Sequence, residues 1–236
     1  MTTSNLLFQL AAFVIYFPAL SFFEWAFHRY AFHTPKVSKH MFRAHTLVHH
    51  QVYKHDDTYH THDDHPREVP MNWWALPALM GTLLPVFVIV QLVTGIQSIW
   101  GGLAAVVAYY GIYESIHWAM HVPRAAKFLS RFRVYRFLDA HHRAHHKYML
   151  SNLNVVVPLA DLMLGTLRAA DGTRIRPFWK AAPPRRQQNV EPQQQQAAPK
   201  PTATAGSANV TPSTAANAAP PHLPVVERRK SATNRV

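Results

Sequence analysis

Cysteine is absent from this 236-residue chain, which excludes disulfide bridges, thiolate zinc sites and cysteine nucleophiles. Carboxylates are few, because 12 Asp and Glu residues stand against 24 Lys and Arg residues and leave a net charge of +12. That charge would suit a nucleic-acid binder, but such a protein needs a soluble fold with a basic face, and long uncharged segments argue against one. Histidine is abundant, with 17 copies, so any metal site here must be built from imidazole, with a carboxylate or water as the only supplements.

Charge is missing from two long stretches of the chain. Residues 1–23 contain no charged side chain, and their segment 6–23, LLFQLAAFVIYFPALSFF, nearly covers a bilayer core of about 30 Å as a helix. We predict one membrane span here, with Pro18 leaving a re-entrant first segment as an alternative. A secretory signal peptide is disfavoured, because no basic residue precedes the apolar run and no small-x-small cleavage site follows it.

The second uncharged stretch, 69–113, predicts a helical hairpin. Its segments 73–93 and 96–113 are long enough to cross a membrane twice, and Gly95 with its polar neighbours marks the turn. A buried pair of globular helices is the alternative, although soluble domains seldom sustain this length without a charge. The sequence thus predicts an all-α integral membrane protein with about three transmembrane helices.

The basic residues predict the orientation and the domain limits. Residues 28–71 contain six Lys and Arg residues and 122–180 contain eleven, whereas the amino terminus and the turn around Gly95 contain none. Both histidine-rich regions are therefore expected in a cytoplasmic cap, with the amino terminus outside. We assign 1–180 to the membrane-embedded domain and predict that the Pro-, Ala- and Gln-rich tail, 181–236, is disordered.

Two further segments have amphipathic patterns. The run KFLSRFRVYRFLD, 127–139, interleaves aromatic and basic residues, which is typical of a helix in the membrane interface, although packing on the cytoplasmic domain remains open. Segment 155–167, VVVPLADLMLGTL, is too short to span a bilayer and predicts a second docked or interfacial piece.

Ten histidines form four groups that each adjoin a predicted membrane boundary: His28 and His33; His45, His49 and His50; His117 and His121; His142, His145 and His146. On an α-helix, residues three or four apart share a face, so His45 with His49, His117 with His121, and His142 with His145 and His146 are each expected to aim at one point. Adjacent rings such as His49 and His50 diverge by about 100°, which suits two metals side by side. The five-residue step from His28 to His33 requires a helix end or a local distortion.

Ten rings exceed the ligand number of one ion, so two metal ions are expected. Imidazole suits iron, zinc, copper and nickel alike, so the ligands do not select the metal. A surface of protonatable histidines that senses pH is the alternative interpretation. His40 and His141 remain undecided candidates, the loop containing His55, His60, His62 and His65 is expected to be hydrated, and His222 is expected to be a bystander.

The phrases EWAFHRYAFH, HTLVHH, YESIHWAMH, HHRAHH and NLNVVVPLADLMLGT resemble the fatty acid hydroxylase and sterol desaturase superfamily over about residues 20–170. The resemblance implies a helical membrane enzyme with a cytoplasmic cap, in which two irons activate O2 to hydroxylate or desaturate a fatty acyl or sterol-like lipid. All ten histidines would be metal ligands, and Asn152, Asn154 and Asp161 would shape the site. The second motif reads HxxxHH where many members have HxxHH, so the role of His45 is less defined than those of His49 and His50.

No catalytic residue is expected beyond the metal ligands. The chain contains no nicotinamide or flavin fingerprint, so a separate cytochrome b5-like, ferredoxin or reductase partner would supply electrons, and the basic face 124–147 would dock an acidic carrier. Glu24 and Glu114 are expected to orient histidine rings, with plain solvation at helix ends as the alternative. Zinc is an alternative ion in a purified form, and the rival functions are a carotenoid-ring hydroxylase and a catalytically silent metal- or lipid-binding membrane scaffold.

Overall fold

The computed structural model describes residues 3–61, 65–177 and 179, and this part of the chain is helical apart from one isolated bridge between Arg168 and Arg174. Its α-helices are α1 (Thr3–Phe27), α2 (Lys39–Phe42), α3 (His50–Val52), α4 (Ala75–Thr94), α5 (Ile99–His121), α6 (Pro123–Leu129), α7 (Arg133–Lys147) and α8 (Leu159–Leu164). Two π-helices, π1 (His28–Phe32) and π2 (Arg43–His49), and a 3-10 turn (Asp57–Tyr59) lie between them. The all-α prediction is confirmed for these residues, whereas the predicted disordered tail, 181–236, lies outside them.

Helix α1 continues without a break through Pro18, so Thr3–Phe27 form one helix without the turn that a re-entrant segment needs. Its 25 residues extend about 37 Å at 1.5 Å per residue. It packs closely on α5, where the Gln9 side chain accepts a hydrogen bond of 2.7 Å from the Gly101 backbone N–H, an amide in the first turn that has no partner within α5. A Cβ atom on Gly101 would lie 2.1 Å from the Gln9 carbonyl oxygen, so only glycine permits this approach.

Helices α4 and α5 form the predicted hairpin. Gly95 ends α4 in the left-handed region, with φ of 69°, and the Gln91 side chain accepts a hydrogen bond from the Ser98 N–H before α5 begins. Helix α5 extends eight residues past the predicted segment 96–113. One continuous helix therefore joins the apolar hairpin to the histidines at 117 and 121.

Among the described residues, two helical stretches are long and apolar enough to cross a membrane, namely Thr3–Phe32 and Ala75–Thr94. Their outward faces are exposed, with 68% of Val14 and 81% of Val93 accessible, so they are not buried core helices. Helix α5 packs against both and buries one side. A third span through α5 stays a prediction.

Two apolar clusters hold the helices together. One, built on Leu20, Leu83, Phe87, Val106 and Tyr109, joins α1, α4 and α5 within the hairpin region. The other, built on Tyr59, Met120, Tyr135, Leu138 and Val155, joins the end of α5 to α7. The inner side of helix α8 is docked on the rest of the chain, since Ala160 and Asp161 are completely buried. These clusters place the ends of α1 and α5 beside α7, where the histidines converge.

Candidate metal centre

Nine of the ten predicted histidines form two compact groups. In the first group one ring nitrogen from each of five histidines lies within 4.8 Å of all the others: His28, His33, His45, His50 and His145. The second group meets the same criterion with four histidines: His49, His117, His121 and His142. Each group could hold a metal ion, and both are buried.

His146, the tenth ring, lies between the two groups. Its Nε2 is 3.0 Å from the Nε2 of His142, and its ring centroid is 4.3 Å from that of His50. His146 therefore contacts a member of each group, and it could serve as a further ligand in either group.

The π-helices explain the histidine spacings. A π-helix joins residue i to residue i+5 by a backbone hydrogen bond, so side chains five apart share a face. The N–H of His33 donates to the His28 carbonyl at 3.1 Å, and the N–H of His50 donates to the His45 carbonyl. The expected distortion between His28 and His33 is thus a π-helix, and a second one, not foreseen, brings His45 and His50 into the first group.

This geometry corrects two of the predicted pairings. His45 was expected to share a target with His49, and His142 with His145, but in each case the two rings belong to different groups. The reason is that π2 turns less per residue than an α-helix and that α7 presents its 142 and 145 positions to opposite sides of the centre. His117 and His121 do meet in one group, as predicted, and the adjacent His49 and His50 diverge into two.

Protein acceptors fix the orientation of six rings through Nδ1. Five of the acceptors are backbone carbonyl oxygens: Leu153 for His28 at 2.6 Å, Glu68 for His49 at 3.2 Å, Tyr59 for His121 at 2.8 Å, Ser151 for His145 at 2.9 Å, and Tyr53 for His146. The sixth acceptor is the hydroxyl of Thr46, which lies 3.1 Å from the Nδ1 of His33. A carbonyl only accepts, so each Nδ1 bonded to one must carry the proton. In a neutral imidazole the other nitrogen, Nε2, is then a bare acceptor, the form that binds metal.

The contact between His33 and His145 favours a bound cation. The Thr46 hydroxyl donates to the Phe32 carbonyl at 2.7 Å, so it must accept from His33 Nδ1, and His33 Nε2 is left bare. His145 Nε2 is bare for the reason given above, yet these two nitrogens are 3.2 Å apart. Two lone pairs at that distance repel each other, and a shared metal ion is what turns the arrangement into a favourable one.

In the second group, buried ring nitrogens without a hydrogen-bond partner also favour a bound metal ion. The Nε2 atoms of His49 and His117 are fully buried and have no hydrogen-bond partner among the described residues. A buried polar atom without a partner costs about 1–3 kcal/mol, so native proteins rarely leave two together. The donor set, the tautomers and these orphaned nitrogens fit a metal ion in each group.

Burial keeps the rings neutral and ready to bind. It lowers the pKa of His145 to about 4, and burial with neighbouring rings lowers the pKa of His45, His49, His50, His142 and His146 well below the usual value near 6.5. Protons therefore compete little with a metal at neutral pH.

Asp161 organises the wall of the first group. Its carboxylate accepts hydrogen bonds from the backbone N–H groups of Leu153 and Asn154 at 3.0 and 2.7 Å, and from the Thr166 hydroxyl at 2.6 Å. These bonds fix segment 151–154, whose Ser151 and Leu153 carbonyls hold His145 and His28. Asn152 turns this segment with a left-handed φ of 56°, a conformation that asparagine tolerates better than most residues.

Among the residues that the structure describes, Glu24 and Glu114 form no hydrogen bond with a histidine ring, so the structure does not show the expected ring-orienting role. The Glu24 carboxylate accepts from the Val155 N–H at 2.7 Å and from the Tyr109 hydroxyl at 2.6 Å. Glu114 accepts from the Met71 N–H at 3.1 Å. Glu24 therefore secures the far end of the wall segment, and backbone carbonyls take the ring-orienting role expected of carboxylates.

The undecided histidines fall outside both groups. His141 Nε2 lies 3.2 Å from the Asp161 carboxylate, and His40 is exposed. His55 and His65 are exposed, and the Nε2 of the half-buried His60 accepts from Arg143 at 3.2 Å. His62 and His222 lie outside the described residues.

The loop 54–66 is expected to be hydrated, but its described segment 54–61 contains a structural anchor. Tyr59 is completely buried, its carbonyl holds His121, and its hydroxyl donates to Asp139 at 3.2 Å. No sequence pattern indicates this role, because backbone acceptors are independent of residue type. Tyr53 and Glu68 were missed for the same reason, whereas Thr46, which acts through its side-chain hydroxyl, was not predicted.

An apolar pocket of about 370 Å³ opens from the histidine centre into the helices. His28 and His45 of the first group and His49 and His117 of the second lie along its wall. The remaining lining is mainly apolar side chains of α1, α4 and α5, including Leu20, Phe23, Phe27, Leu79, Val106 and Tyr113. The pocket thus leads from both groups towards the span region.

Comparisons of the chain with protein-family models, with curated proteins and with solved structures each found no match. The centre is therefore described by its own geometry.

Proposed function

We propose that this chain is an O2-dependent di-iron membrane oxidase that hydroxylates or desaturates a fatty acyl or sterol-like lipid. The observation that carries the proposal is the convergence of two buried imidazole groups, with bare Nε2 atoms, on the wall of one apolar pocket. The resemblance of the histidine motifs to the fatty acid hydroxylase and sterol desaturase superfamily points to the same chemistry.

The proposed ligands are the nine grouped histidines together with His146. Two irons bound there would supply the oxidation of an unactivated C–H bond by O2, which amino-acid side chains cannot perform. Zinc would fit the same imidazoles but has no redox chemistry, so it is the ion to expect in an inactive preparation.

The pocket would select the substrate by its apolar body. Aromatic and aliphatic side chains dominate the lining, and its volume lies within the usual range of about 300–1,000 Å³ for small-molecule sites. Near the histidines the lining changes to Glu68, Asn72 and His40, which would face the polar end of a lipid. The Phe32 ring contacts His28 and the Tyr113 ring contacts His117, with centroids 5.5 Å apart in each pair, and such cover would limit the access of water and wasteful side reactions.

The membrane placement follows from the same helices. We infer three spans, α1, α4 and α5, with the histidine centre in a cytoplasmic cap according to the distribution of Lys and Arg. A lipid would enter the pocket from the bilayer between these spans. An external cytochrome b5-like, ferredoxin or reductase partner would deliver the electrons.

Metal analysis combined with lipid turnover tests the function. The parent protein and a His145→Ala variant are expressed with added iron, and bound metal, the absorbance change on reduction and reoxidation, and oxygenated products in host lipid extracts are measured. His55→Ala is the matched control, because His55 is exposed, belongs to neither group and does not line the pocket. We expect two irons and oxidised lipid for the parent and the control, whereas His145→Ala should lose the iron of the first group and form no oxidised lipid.

Three outcomes separate the alternatives. A parent protein with no redox-active metal after iron-replete expression contradicts the oxidase proposal. Bound iron without lipid or pigment products favours a silent metal- or lipid-binding scaffold. Hydroxylated carotenoid in place of acyl or sterol products favours a carotenoid-ring hydroxylase.

A further inference from the structure

The segment 123–137 forms a basic and apolar surface on the outside of the cap. It comprises α6, the following turn and the first turn of α7, and contains five Arg and Lys residues and no acid. We call it the α6–α7 surface. None of its basic side chains forms an ion pair with a carboxylate among the described residues, where the recorded pair is between His141 and Asp161.

Large apolar side chains lie between these cations and point outward. Phe128, Phe132, Val134 and Phe137 are each about half exposed or more, with Val134 at 71%. The Arg131 guanidinium lies 3.8 Å from the centre of the Phe128 ring and 4.8 Å from that of Phe132. The inner side of α6 packs on the core through Ala125, Ala126 and Leu129, so the exposed side has no partner within the described chain.

An open groove of about 530 Å³ adjoins this surface. It lies between the end of α5 and α6 and is lined largely by Trp118, Ala119, Ala125, Phe128 and Leu129. The mainly apolar lining of the groove lies beside the basic residues of the α6–α7 surface. This combination suits a lipid with an apolar chain and an anionic headgroup. A tryptophan at this level is typical of the membrane interface.

Position in the fold decides between a lipid and a protein partner. Helix α6 begins two residues after α5 ends, and α5 is about 34 Å long, so the α6–α7 surface starts at headgroup depth if α5 spans the bilayer. We propose that the α6–α7 surface binds the headgroups of anionic phospholipids in the same leaflet, with an acyl chain in the groove. This proposal rests on the membrane placement proposed above.

The absence of cysteine makes the test direct. A single fluorophore is attached to Val134→Cys, which leaves every basic and aromatic residue of the surface in place, and to Val14→Cys on the exposed face of α1. Each full-length labelled protein is reconstituted in bilayers of phosphatidylcholine and phosphatidylglycerol. Quenching by spin-labelled phosphatidylglycerol is compared with quenching by spin-labelled phosphatidylcholine, and metal content verifies the fold.

We expect the probe at residue 134 to be quenched several-fold more by the anionic lipid, with the preference weakening at high salt. Lys127→Gln with Arg133→Gln removes two exposed charges, each worth up to about a five-fold preference, so the pair should abolish most of that several-fold headgroup preference. Arg136 is not used, because its guanidinium donates to the Ser130 carbonyl at 2.7 Å and supports the turn.

The probe at residue 14 separates the two proposals. If it is not quenched in the acyl region, the membrane placement itself is wrong. The probe at residue 14 can instead be quenched while the probe at residue 134 stays in water, or while the probe at residue 134 is quenched equally by both lipids. In either case only the lipid-binding role of the α6–α7 surface is overturned. A probe at residue 134 that an acidic ferredoxin shields, with no lipid quenching, would assign the surface to the electron carrier instead.

Discussion

Asp161→Asn should weaken metal binding without touching a ligand. Asp161 Oδ1 accepts from Leu153 N–H and the Thr166 hydroxyl, and Oδ2 accepts from Asn154 N–H and His141 Nε2. An asparagine side chain offers one acceptor oxygen and one NH2 group, in either orientation. The hydroxyl and the imidazole can reverse their roles, but a backbone N–H cannot, so one buried amide must lose its acceptor.

The loss of one acceptor for a buried amide determines the expected decrease in the free energy of unfolding. A buried unsatisfied amide costs about 1–3 kcal/mol, and losing its charge-assisted hydrogen bond adds to this, so about 3 kcal/mol is expected from a total stability of roughly 5–15 kcal/mol. The wall segment 151–154 should loosen, and with it the carbonyls that hold His28 and His145. Substitution of groups that orient ligands commonly lowers metal affinity by about 10–100-fold.

Titration of the metal-free protein with Fe(II) under anaerobic conditions measures this effect, with thermal unfolding in parallel. We expect one of two binding events to weaken by that factor and the melting temperature to fall. Asp171→Asn is the control, because this exposed carboxylate accepts only locally, from the Thr173 N–H at 2.8 Å. Unchanged affinities in Asp161→Asn would refute the argument that the wall segment orients the first group.

Three further predictions follow from the same contacts. His145→Ala should lose the metal of the first group, whereas His141→Ala should retain both metals and lose stability, which metal analysis and thermal unfolding distinguish. Because burial lowers the pKa of the grouped rings below 6.5, the unfolded chain takes up protons first on acidification; stability is intact above pH 6.5 and falls below it, by about 1.4 kcal/mol per ring at pH 5.5. An unfolding temperature unchanged at pH 5.5 would contradict this. Gly101→Ala should cost about 1–3 kcal/mol, since the new Cβ overlaps α1, while Gly81→Ala, with open space around it, should be neutral or slightly stabilising in the same assay.

The sequence predicted the helices and the clustering of the histidines well, because both depend on side-chain patterns. The uncharged stretches matched α1, α4 and most of α5, and the turn at Gly95 followed from its flanking polar residues. Spacing also predicted that His28 and His33 need a distortion. The distortion at His45 was not predicted, because HxxxHH fits an α-helix equally well and only the packed structure shows the π-helix.

The orientation of the rings could not be predicted from the residues. Five of the six Nδ1 acceptors are backbone carbonyls, which every residue type provides, so the roles of Tyr53, Tyr59 and Ser151 left no trace in the sequence. The carboxylates at 24 and 114 looked more suitable, yet they bind backbone amides and a tyrosine. Side-chain chemistry thus predicted which residues come together in groups that could hold metal, and the path of the backbone decides how their rings are aimed.

The two metal groups should be coupled, because two elements serve both. The stretch from π2 into α3 supplies His45 and His50 to the first group and His49 to the second, and α7 supplies His145 and His142 in the same way. An ion in one group would hold these elements in place and so reduce the ordering cost of the other group. We expect positive cooperativity in the Fe(II) titration, with a Hill coefficient above one, and a smaller secondary weakening of the second site in Asp161→Asn. Two independent binding events of unrelated affinity would show that π2 and α7 are already rigid without metal.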